Sequence, residues 1–361
     1  MTDAALAIRN LGMKAWRRLR AAHKPVVRMA RRRARAGERE AALGDVAALE
    51  RELEAIAAGR GPIVAGPWLA EVGYEALYWV PFLRWFADAY RIPRERLVVL
   101  SRGGVADWYE DFAGRYVDLF DLMEPGELAR RNDARQREAE AGGRKQTTGP
   151  TPLDEEMLGR ARSAIGLGAA ATCHPSMLFG LFRHVWYGTL PHDFLWTHTR
   201  YRRVALPTAL PPDVPAEFTA VKFYSGTALP TQGRVREQLR ALVERAARVR
   251  PVVVLDTGVT MDEHQDFDFA GIPNVVSAAR WMTPANNLGL QSALVGKSRL
   301  FLSTCGGLGW LGPFLGTPTV AAYADDRLLG PHLYVARLAG RRVGAADFVP
   351  LDLRADPLLD A

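Results

Sequence analysis

Short apolar runs and helix-length amphipathic segments alternate along most of the chain. The runs Arg96–Ser101 (R-L-V-V-L-S) and Pro251–Asp256 (P-V-V-V-L-D) have no polar position between their ends, as expected of strands buried on both faces of a parallel sheet. Further strands are predicted at Pro62–Ala65, Phe218–Tyr224, Asn274–Ser277, Leu300–Ser303 and Pro318–Tyr323, and helices at Ala41–Ala58, Tyr74–Tyr90, Gly233–Arg248, Asn286–Val295 and Trp310–Leu315. The strand–helix–strand order predicts an α/β fold with parallel sheets.

A proline-rich stretch divides this pattern in two. Pro207–Pro215 carries four prolines in nine residues, which argues against a helix or a central strand there. We therefore predict a linker over residues 207–216, one βα domain over 60–206 and a second over 217–335. Residues 1–59 are predicted to form a separate helical arm, and residues 336–361 a C-terminal tail that crosses back to the first domain.

The net charge of +7 is concentrated at the N-terminus. Residues 1–35 hold eleven Lys or Arg against Asp3 alone, so the other 326 residues sum to −3. A basic amphipathic segment carrying Trp16 is typical of docking to an anionic membrane surface; a solvated basic tail is the alternative. Because no basic patch with interleaved aromatics continues into the body, nucleic acid is not a predicted partner.

Composition excludes several other classes of protein. Hydrophobic residues make up 48% of the 361, enough for globular domains. Cys173 and Cys305, the two cysteines, are too few for a disulfide framework or a multi-thiolate zinc site. The uncharged stretches Ala164–Phe182 and Phe301–Ala324 are interrupted by Gly, Pro, Ser or Thr, so no membrane-spanning helix is predicted.

The densest chemical pattern is a glycine turn within residues 300–320. A predicted strand runs into a turn and then into a predicted short helix, where backbone amides can approach and hold an anion such as a diphosphate. The turn lacks both the P-loop Lys-Ser/Thr pair and the G-x-G-x-x-G pattern, which disfavours a hydrolysed triphosphate and a dinucleotide. A purely structural turn is the alternative. The candidate phosphate-binding residues are Ser303, Thr304, Gly306, Gly307, Leu308 and Gly309.

Residues 274–323 resemble the donor-binding region of GT-B glycosyltransferases, above all the heptosyltransferases. The resemblance rests on the turn C-G-G-L at 305–308 and on L-G-T-P-T-V at 315–320, each beside a predicted helix and strand. It implies two Rossmann-like domains facing a cleft, the first for the acceptor and the second for a nucleotide-sugar donor. Trp310 replaces a histidine that the family carries, so the resemblance extends to the donor-phosphate site and not to the sugar.

The same resemblance implies a catalytic base in the loop after the first strand. The family has an acidic residue in this loop, and Glu71 is the nearest match within Gly66–Tyr74, with Glu75 one helical turn later. Such a carboxylate accepts the proton of the acceptor hydroxyl. Gly66 is included among the donor-binding candidates. The alternative role for Glu71 is a helix N-terminal carboxylate that balances the macrodipole.

Further candidates follow other predicted strands or open helices. Lys222, Arg234 and Arg236 are predicted to meet the leaving phosphates, with solvated charges as the alternative for the two arginines. Glu263 and His264 are candidates for contacting ribose or assisting protonation.

Two residues near the start of a later helix have two possible uses. Thr283 and Asn286 are candidates either for capping that helix or for meeting the donor base or ribose.

No metal site or resident cofactor is predicted, the nucleotide-diphosphate sugar being a co-substrate. Asp266-Phe267-Asp268 matches a D-x-D pattern, which binds a metal in another glycosyltransferase fold. A solvated loop is the preferred interpretation, because such a triplet is common by chance and GT-B enzymes generally need no metal.

The sequence therefore predicts a glycosyltransferase that moves a sugar from a nucleotide-diphosphate donor to a saccharide or glycolipid acceptor. We expect it to act in cell-envelope polysaccharide synthesis, such as that of lipopolysaccharide, as a peripheral protein at the cytoplasmic face of the inner membrane. A nucleotide-sugar epimerase on the same fold and a non-catalytic saccharide- or membrane-binding protein are the alternatives.

Overall fold

The structure is a computed structural model that describes residues 35–141, 149–206, 208–231, 234–257 and 264–355. The predicted membrane-docking segment therefore lies outside the described residues, apart from Arg35. Within the described ranges, no helix combines the length and the apolar composition needed to cross a membrane.

The first half of the chain folds around a four-stranded parallel sheet. Its strands are β1 (Ile63–Ala65), β2 (Leu97–Ser101), β3 (Arg115–Asp118) and β4 (Ala171–Cys173), in the spatial order β3-β2-β1-β4. Its helices are α1 (35–58), α2 (Val72–Tyr74), α3 (Val80–Ala89), α4 (Pro125–Ala141), α5 (Pro152–Ala164), α6 (Pro175–Trp186) and α7 (Asp193–Thr197), with a π-helical turn over Glu75–Trp79 between α2 and α3. Every residue of β1 and β2 is buried, as their apolar runs predict.

The second half contains a six-stranded parallel sheet. Its strands are β5 (Thr219–Lys222), β6 (Val252–Val254), β7 (Val275–Ser277), β8 (Leu300–Thr304), β9 (Thr319–Tyr323) and β10 (Phe348–Asp352), in the order β10-β9-β8-β5-β6-β7. Its helices are α8 (Val235–Val249), α9 (Asn287–Lys297) and α10 (Gly330–Arg342). The predicted α/β architecture with two parallel sheets is confirmed.

The helix predicted at Trp310–Leu315 is wrong. The structure has two short 3₁₀ turns there, Gly307–Trp310 and Gly312–Leu315. Glycine and proline are the poorest helix formers, and Gly312-Pro313 followed by Gly316 in the left-handed conformation prevents a continuous α-helix.

Helix α1 packs against the first sheet and is not separate from it. Ala42, Val46 and Leu53 are buried in the same hydrophobic cluster as β1 and β2. Glu50 accepts a 2.8 Å hydrogen bond from the His198 ring. Residues 35–58 of the predicted arm therefore pack on the first half, and residues 1–34 lie outside the described residues.

Helix α10 reaches across to the first half, and the chain then returns to the second sheet. The two ring nitrogens of His332 lie 3.0 Å from the Tyr74 hydroxyl and 2.6 Å from the Tyr78 hydroxyl, and burial lowers the pKa of His332 to about 4. β10 then pairs with β9. The predicted boundary at 335/336 thus falls inside the crossing helix, and the tail after it does not stay with the first half.

The two halves touch directly where their strands end. The Gly289 amide donates to the Gly103 carbonyl at 2.8 Å, and the Trp108 indole N–H donates to Ser292 Oγ at 3.2 Å. These contacts hold the carboxyl ends of the two sheets beside each other, where ligands bind in open α/β sheets.

Candidate functional site

A cavity of about 520 Å³ lies between the carboxyl ends of the two sheets. The first half contributes the start of α2 and the residue after β2, and the second half contributes residues after β5, β6 and β8 and the first turns of α9. The volume is in the range of small-molecule sites. The polar or glycine residues of its wall include Glu71, Gly73, Arg102, Lys222, Tyr224, Asp256, His264, Gln265, Asp266, Asn287, Gln291 and Gly307.

Glu71 lies in the wall of this cavity, exposed at the start of α2. The loop before it is held by the Arg102 guanidinium, which donates to the carbonyls of Trp68 at 2.7 Å and Ala70 at 2.8 Å. The Asn132 side-chain amide donates to the carbonyl between them at 3.1 Å. Buried donors therefore fix the backbone that carries this carboxylate, which limits how far it can move from the cavity.

Glu75, the second predicted base, is buried away from the cavity. Its Oε1 accepts hydrogen bonds from Ser101 Oγ and from the Tyr109 hydroxyl, while its Oε2 has no hydrogen-bond partner among the described residues. Burial raises the pKa of Glu75 to about 7. The π-helical turn that begins at Glu75 directs its side chain toward β2, so this carboxyl does not line the site.

Gly66 also lies behind the cavity wall. Its amide donates to the Cys173 carbonyl at 3.0 Å, and it is buried. Gly66 therefore lies at the carboxyl end of the sheet, next to β1 and β4, and does not line the cavity.

Lys222 faces the cavity from the end of β5, where it is paired with Asp266. The Lys222 ammonium donates to both carboxylate oxygens of Asp266, at 2.7 and 2.8 Å. Asp266 is brought there because its segment pairs antiparallel with Tyr224. The His264 ring meets the Tyr224 ring edge-on, with centroids 4.9 Å apart. The predicted Lys222 and His264 thus share one wall, whereas Glu263 lies outside the described residues.

The arginines predicted beside Lys222 do not reach the cavity. Arg234 and Arg236 are exposed at the start of α8, and neither contributes to the cavity wall.

The glycine turn contributes a smaller surface than predicted. Gly307 and Leu308 line the cavity, and Gly306 beside them is half-buried. Ser303, Thr304 and Gly309 are buried. Thr304 Oγ1 accepts from the Tyr224 amide at 2.9 Å and donates to the Tyr224 carbonyl at 3.1 Å, so its hydroxyl joins the end of β8 to the segment after β5. Of the predicted phosphate-binding residues, the ones at or beside the cavity are therefore 306–308.

Thr283 and Asn286 cap a helical turn, the alternative that the sequence left open. They form a reciprocal capping box around the 3₁₀ turn Pro284–Asn286, with the Thr283 amide donating to Asn286 Oδ1 at 2.7 Å. Neither lines the cavity, although the next residue, Asn287, does.

Sequence reasoning missed several polar groups of the wall. Arg102 directly follows a predicted strand and Asp256 is the last residue of another, and the rule that ligands bind at carboxyl ends would have pointed to both. Asp256 accepts from Ser277 Oγ at 2.7 Å. Gln291 is buried on α9, and its Oε1 has no hydrogen-bond partner among the described residues; nothing in its helical context distinguishes it in the sequence.

The D-x-D triplet is used structurally. Asp266 pairs with Lys222, while Asp268 Oδ1 accepts from the Ala270 amide at 2.8 Å and Phe267 between them is buried. In the described part of the chain, no three His, Cys, Asp or Glu side chains are grouped as metal ligands.

Gly73 and Gly307 meet where the two cavity walls touch, and a larger residue at position 73 is expected to separate them. A Cβ there would lie 2.8 Å from the Gly307 amide nitrogen, which is backbone and cannot rotate away. We expect Gly73→Ala to lower the free energy of unfolding by about 1–2 kcal/mol, measured by urea denaturation. Gly159→Ala is the control: a Cβ there meets nothing within 4 Å, and because Gly159 lies inside α5 this change is expected to raise the free energy of unfolding by about 0.5–1 kcal/mol. Equal stability of Gly73→Ala and wild type would contradict the close approach.

No protein-family model matches the chain, and no curated protein matches it. Solved structures do. The chain is similar to TibC, an iron-containing dodecameric glycosyltransferase of enterotoxigenic E. coli H10407, at 12% identity and a TM-score of 0.41, over 73% of this chain and 58% of TibC, less than two thirds of its length.

Two further solved structures are matched over most of their length. The family 9 glycosyl transferase of Veillonella parvula DSM 2008 is 13% identical, with a TM-score of 0.44 over 81% of this chain and 86% of that one. The E. coli heptosyltransferase WaaC with ADP is 12% identical, with a TM-score of 0.43 over 80% and 92%. The matches include heptosyltransferases, the family that the sequence resembles. Their TM-scores are below 0.5, so these similarities do not assign a function to the cavity.

Proposed function

We propose that the chain transfers a sugar from a nucleoside-diphosphate donor to a hydroxyl of an acceptor saccharide or glycolipid, in the cavity between the two sheets. Glu71 takes the proton of the acceptor hydroxyl as that oxygen attacks the anomeric carbon. The bond from this carbon to the diphosphate breaks, and the departing negative charge lies beside Lys222 and the turn at residues 306–308. One observation carries the proposal: an exposed carboxylate and a lysine with a glycine turn face one cavity from opposite halves.

The wall formed by the second half supports binding of a diphosphate. Lys222 supplies a positive charge, and charge-assisted hydrogen bonds to phosphate are about twice as strong as neutral ones. Gly307 lines the same wall, and its φ of +48° is a conformation that glycine adopts without strain. Both features are at the carboxyl edge of the sheet, where such ligands bind in parallel α/β folds.

The wall formed by the first half supports a base positioned for the acceptor. Glu71 is exposed on a loop that Arg102 and Asn132 hold through carbonyls. A general base needs a fixed position within hydrogen-bond reach of the hydroxyl it deprotonates. The exposed position leaves room for an acceptor on the open side of the cavity.

The remaining carboxylates of the cavity favour transfer over epimerisation. An epimerase on this fold needs a second base facing the sugar. The other acidic side chains in the described wall are Asp256, bonded to Ser277, and Asp266, bonded to Lys222. Both belong to the second half, whereas Glu71 lines the cavity from the first half, the side proposed for the acceptor.

The acceptor is proposed to be a lipid-linked or cell-envelope saccharide, presented at the cytoplasmic membrane surface through the basic residues 1–35. Independence from metal and from any resident cofactor is likewise proposed.

Donor binding is tested by thermal unfolding with nucleoside diphosphates and nucleotide sugars. A ligand at 100 times its dissociation constant stabilises the folded protein by about 2.7 kcal/mol. We expect Lys222→Ala to weaken the binding of that ligand about tenfold, since it loses a charge-assisted bond, which halves the stabilisation at the same ligand concentration to about 1.4 kcal/mol.

Lys297→Ala is the matched control, because Lys297 is exposed at the end of α9 away from the cavity. It is expected to bind like the wild type. If no diphosphate or nucleotide sugar shifts the midpoint of the wild-type protein, the donor site is refuted.

A further inference from the structure

The cavity wall carries more negative than positive formal charge, although its proposed ligand is a polyanion. Among the described wall residues, the carboxylates are Glu71, Asp256 and Asp266, and the side chains with a permanent positive charge are Lys222 and Arg102. The Arg102 guanidinium already donates to two carbonyls of the first half. A diphosphate entering this cavity therefore depends mainly on Lys222.

The charge of Lys222 is itself compensated. Both oxygens of the Asp266 carboxylate accept from its ammonium, at 2.7 and 2.8 Å. The Lys222 side chain is 15% exposed and that of Asp266 is 32% exposed, so solvent only partly screens the pair. A carboxylate thus occupies the ammonium that a phosphate would use.

The position of Asp266 is built into the backbone. The Ser225 amide donates to the Gln265 carbonyl at 2.8 Å, and the Phe267 amide donates to the Phe223 carbonyl at 3.0 Å. The Phe267 side chain is buried. The carboxylate is therefore held over the end of β5 independently of its ion pair, and the segment does not need the pair to stay in place.

We propose that Asp266 is a positioning and specificity residue, a built-in anion that holds Lys222 in the empty cavity and competes with the phosphates of the ligand. The inference rests on the proposed function and adds to it. In this arrangement Lys222 binds only a ligand with enough negative charge. Such a ligand either displaces the Asp266 carboxylate from the Lys222 ammonium or shares the ammonium with it. After the reaction the same carboxylate recaptures Lys222 and favours release of the diphosphate product.

The proposal reverses the usual expectation for removing an ion-pair partner. A purely structural aspartate would weaken ligand binding when replaced, because its loss loosens the wall. Replacing an aspartate that competes with the ligand would strengthen ligand binding, because Lys222 gains an unneutralised charge and the ligand loses a repulsive neighbour. For one charge at such distances in a partly screened site, the gain is about tenfold in affinity.

The test is the dissociation constant of inorganic pyrophosphate and of nucleoside diphosphates, measured by isothermal titration at low salt with the full chain. Asp266→Asn is expected to bind both about tenfold more tightly than the wild type and to bind the corresponding uncharged nucleoside equally well. Asp266→Glu keeps the carboxylate and is expected to restore an affinity near the wild-type value. Asp268→Asn removes the same charge two residues along without touching Lys222 and is expected to change nothing.

Several outcomes would overturn the proposal. Unchanged or weaker pyrophosphate binding in Asp266→Asn would do so, as would equal tightening in Asp268→Asn. Tightening by Asp266→Asn in a Lys222→Ala background, as large as in the wild type, would show that the carboxylate does not act through Lys222. If diphosphates bind the wild type but Asp266→Asn has no effect on their affinity, only this inference fails. If diphosphates bind neither the wild type nor any variant, the proposed function fails as well.

Discussion

Glu71→Gln is expected to slow sugar transfer by about 10²–10⁴-fold and to leave the affinity for the donor within about twofold of wild type. The amide keeps the size of the side chain but cannot accept the acceptor proton. Donor binding is expected to be retained because the proposed phosphate contacts, at Lys222 and Gly307, are on the opposite wall of the cavity. Release of nucleoside diphosphate, measured in the presence of acceptor saccharides, reports the rate, and thermal shift reports the binding.

Glu110→Gln provides the matched control, since Glu110 is exposed in the first half and does not line the cavity. It is expected to keep the full rate. A Glu71→Gln protein that transfers at the wild-type rate would remove Glu71 as the base. Loss of donor binding in proportion to the loss of rate would assign Glu71 to binding instead.

The central strands were predictable because burial on both faces leaves an unbroken apolar run. Val252–Val254 and Leu97–Ser101 show this pattern and are buried throughout. Two of the sheet-edge strands, β3 and β10, were missed for the opposite reason. Arg115–Asp118 (R-Y-V-D) and Phe348–Asp352 (F-V-P-L-D) contain charges or proline, which an edge tolerates because one side of the strand is not paired.

Part of the candidate site was predictable from the rule that ligands bind at the carboxyl ends of parallel strands. Glu71 lies in the loop after the first predicted strand, where the family resemblance places a base, and Lys222 lies near the end of the predicted strand Phe218–Tyr224; both line the cavity. The rule does not say which way a side chain at a strand end points. β8 ends at Thr304, one residue beyond the predicted end at Ser303. Both residues are buried, and the chain lines the cavity only from Gly307.

Long-range contacts account for what the sequence does not reveal about the cavity wall. Asp266 reaches Lys222 across 44 positions of sequence because its segment folds back beside Tyr224. Arg102 supports the loop of Glu71 from the next strand of the sheet. Neither pairing has a local pattern, since each depends on how two distant segments are placed by the sheets.

Glu75→Gln is expected to stabilise the protein at pH 8 by about 2 kcal/mol and to have little effect at pH 5. Burial raises the pKa of Glu75 from its ordinary value of 4.5 to about 7. Below pH 4.5 the carboxyl is protonated in both the folded and the unfolded chain. As the pH rises from 4.5 to 7, the unfolded chain ionises first, so the contribution of Glu75 to stability falls, by about 3 kcal/mol in all.

Glutamine resembles the protonated carboxyl and does not ionise. The stability of the Glu75→Gln variant should therefore not fall in this way as the pH rises. Its carbonyl can still accept from Ser101 and Tyr109, and its amide takes the place of Oε2, which has no hydrogen-bond partner among the described residues. The cost of burying that amide without a partner reduces the expected gain below the full 3 kcal/mol. Urea denaturation of both proteins at pH 5 and pH 8 isolates Glu75, because every other titrating group is common to the two.

Glu110→Gln again serves as the control, since removing an exposed carboxylate should change stability equally at both pH values. A Glu75→Gln protein that is less stable than wild type at pH 8 would mean that the folded state contains Glu75 as a well-stabilised carboxylate. The Arg102 guanidinium, which favours the ionised form, would then outweigh burial. The sign of the change at pH 8 therefore decides whether desolvation or Arg102 governs the carboxyl beneath the loop that carries Glu71.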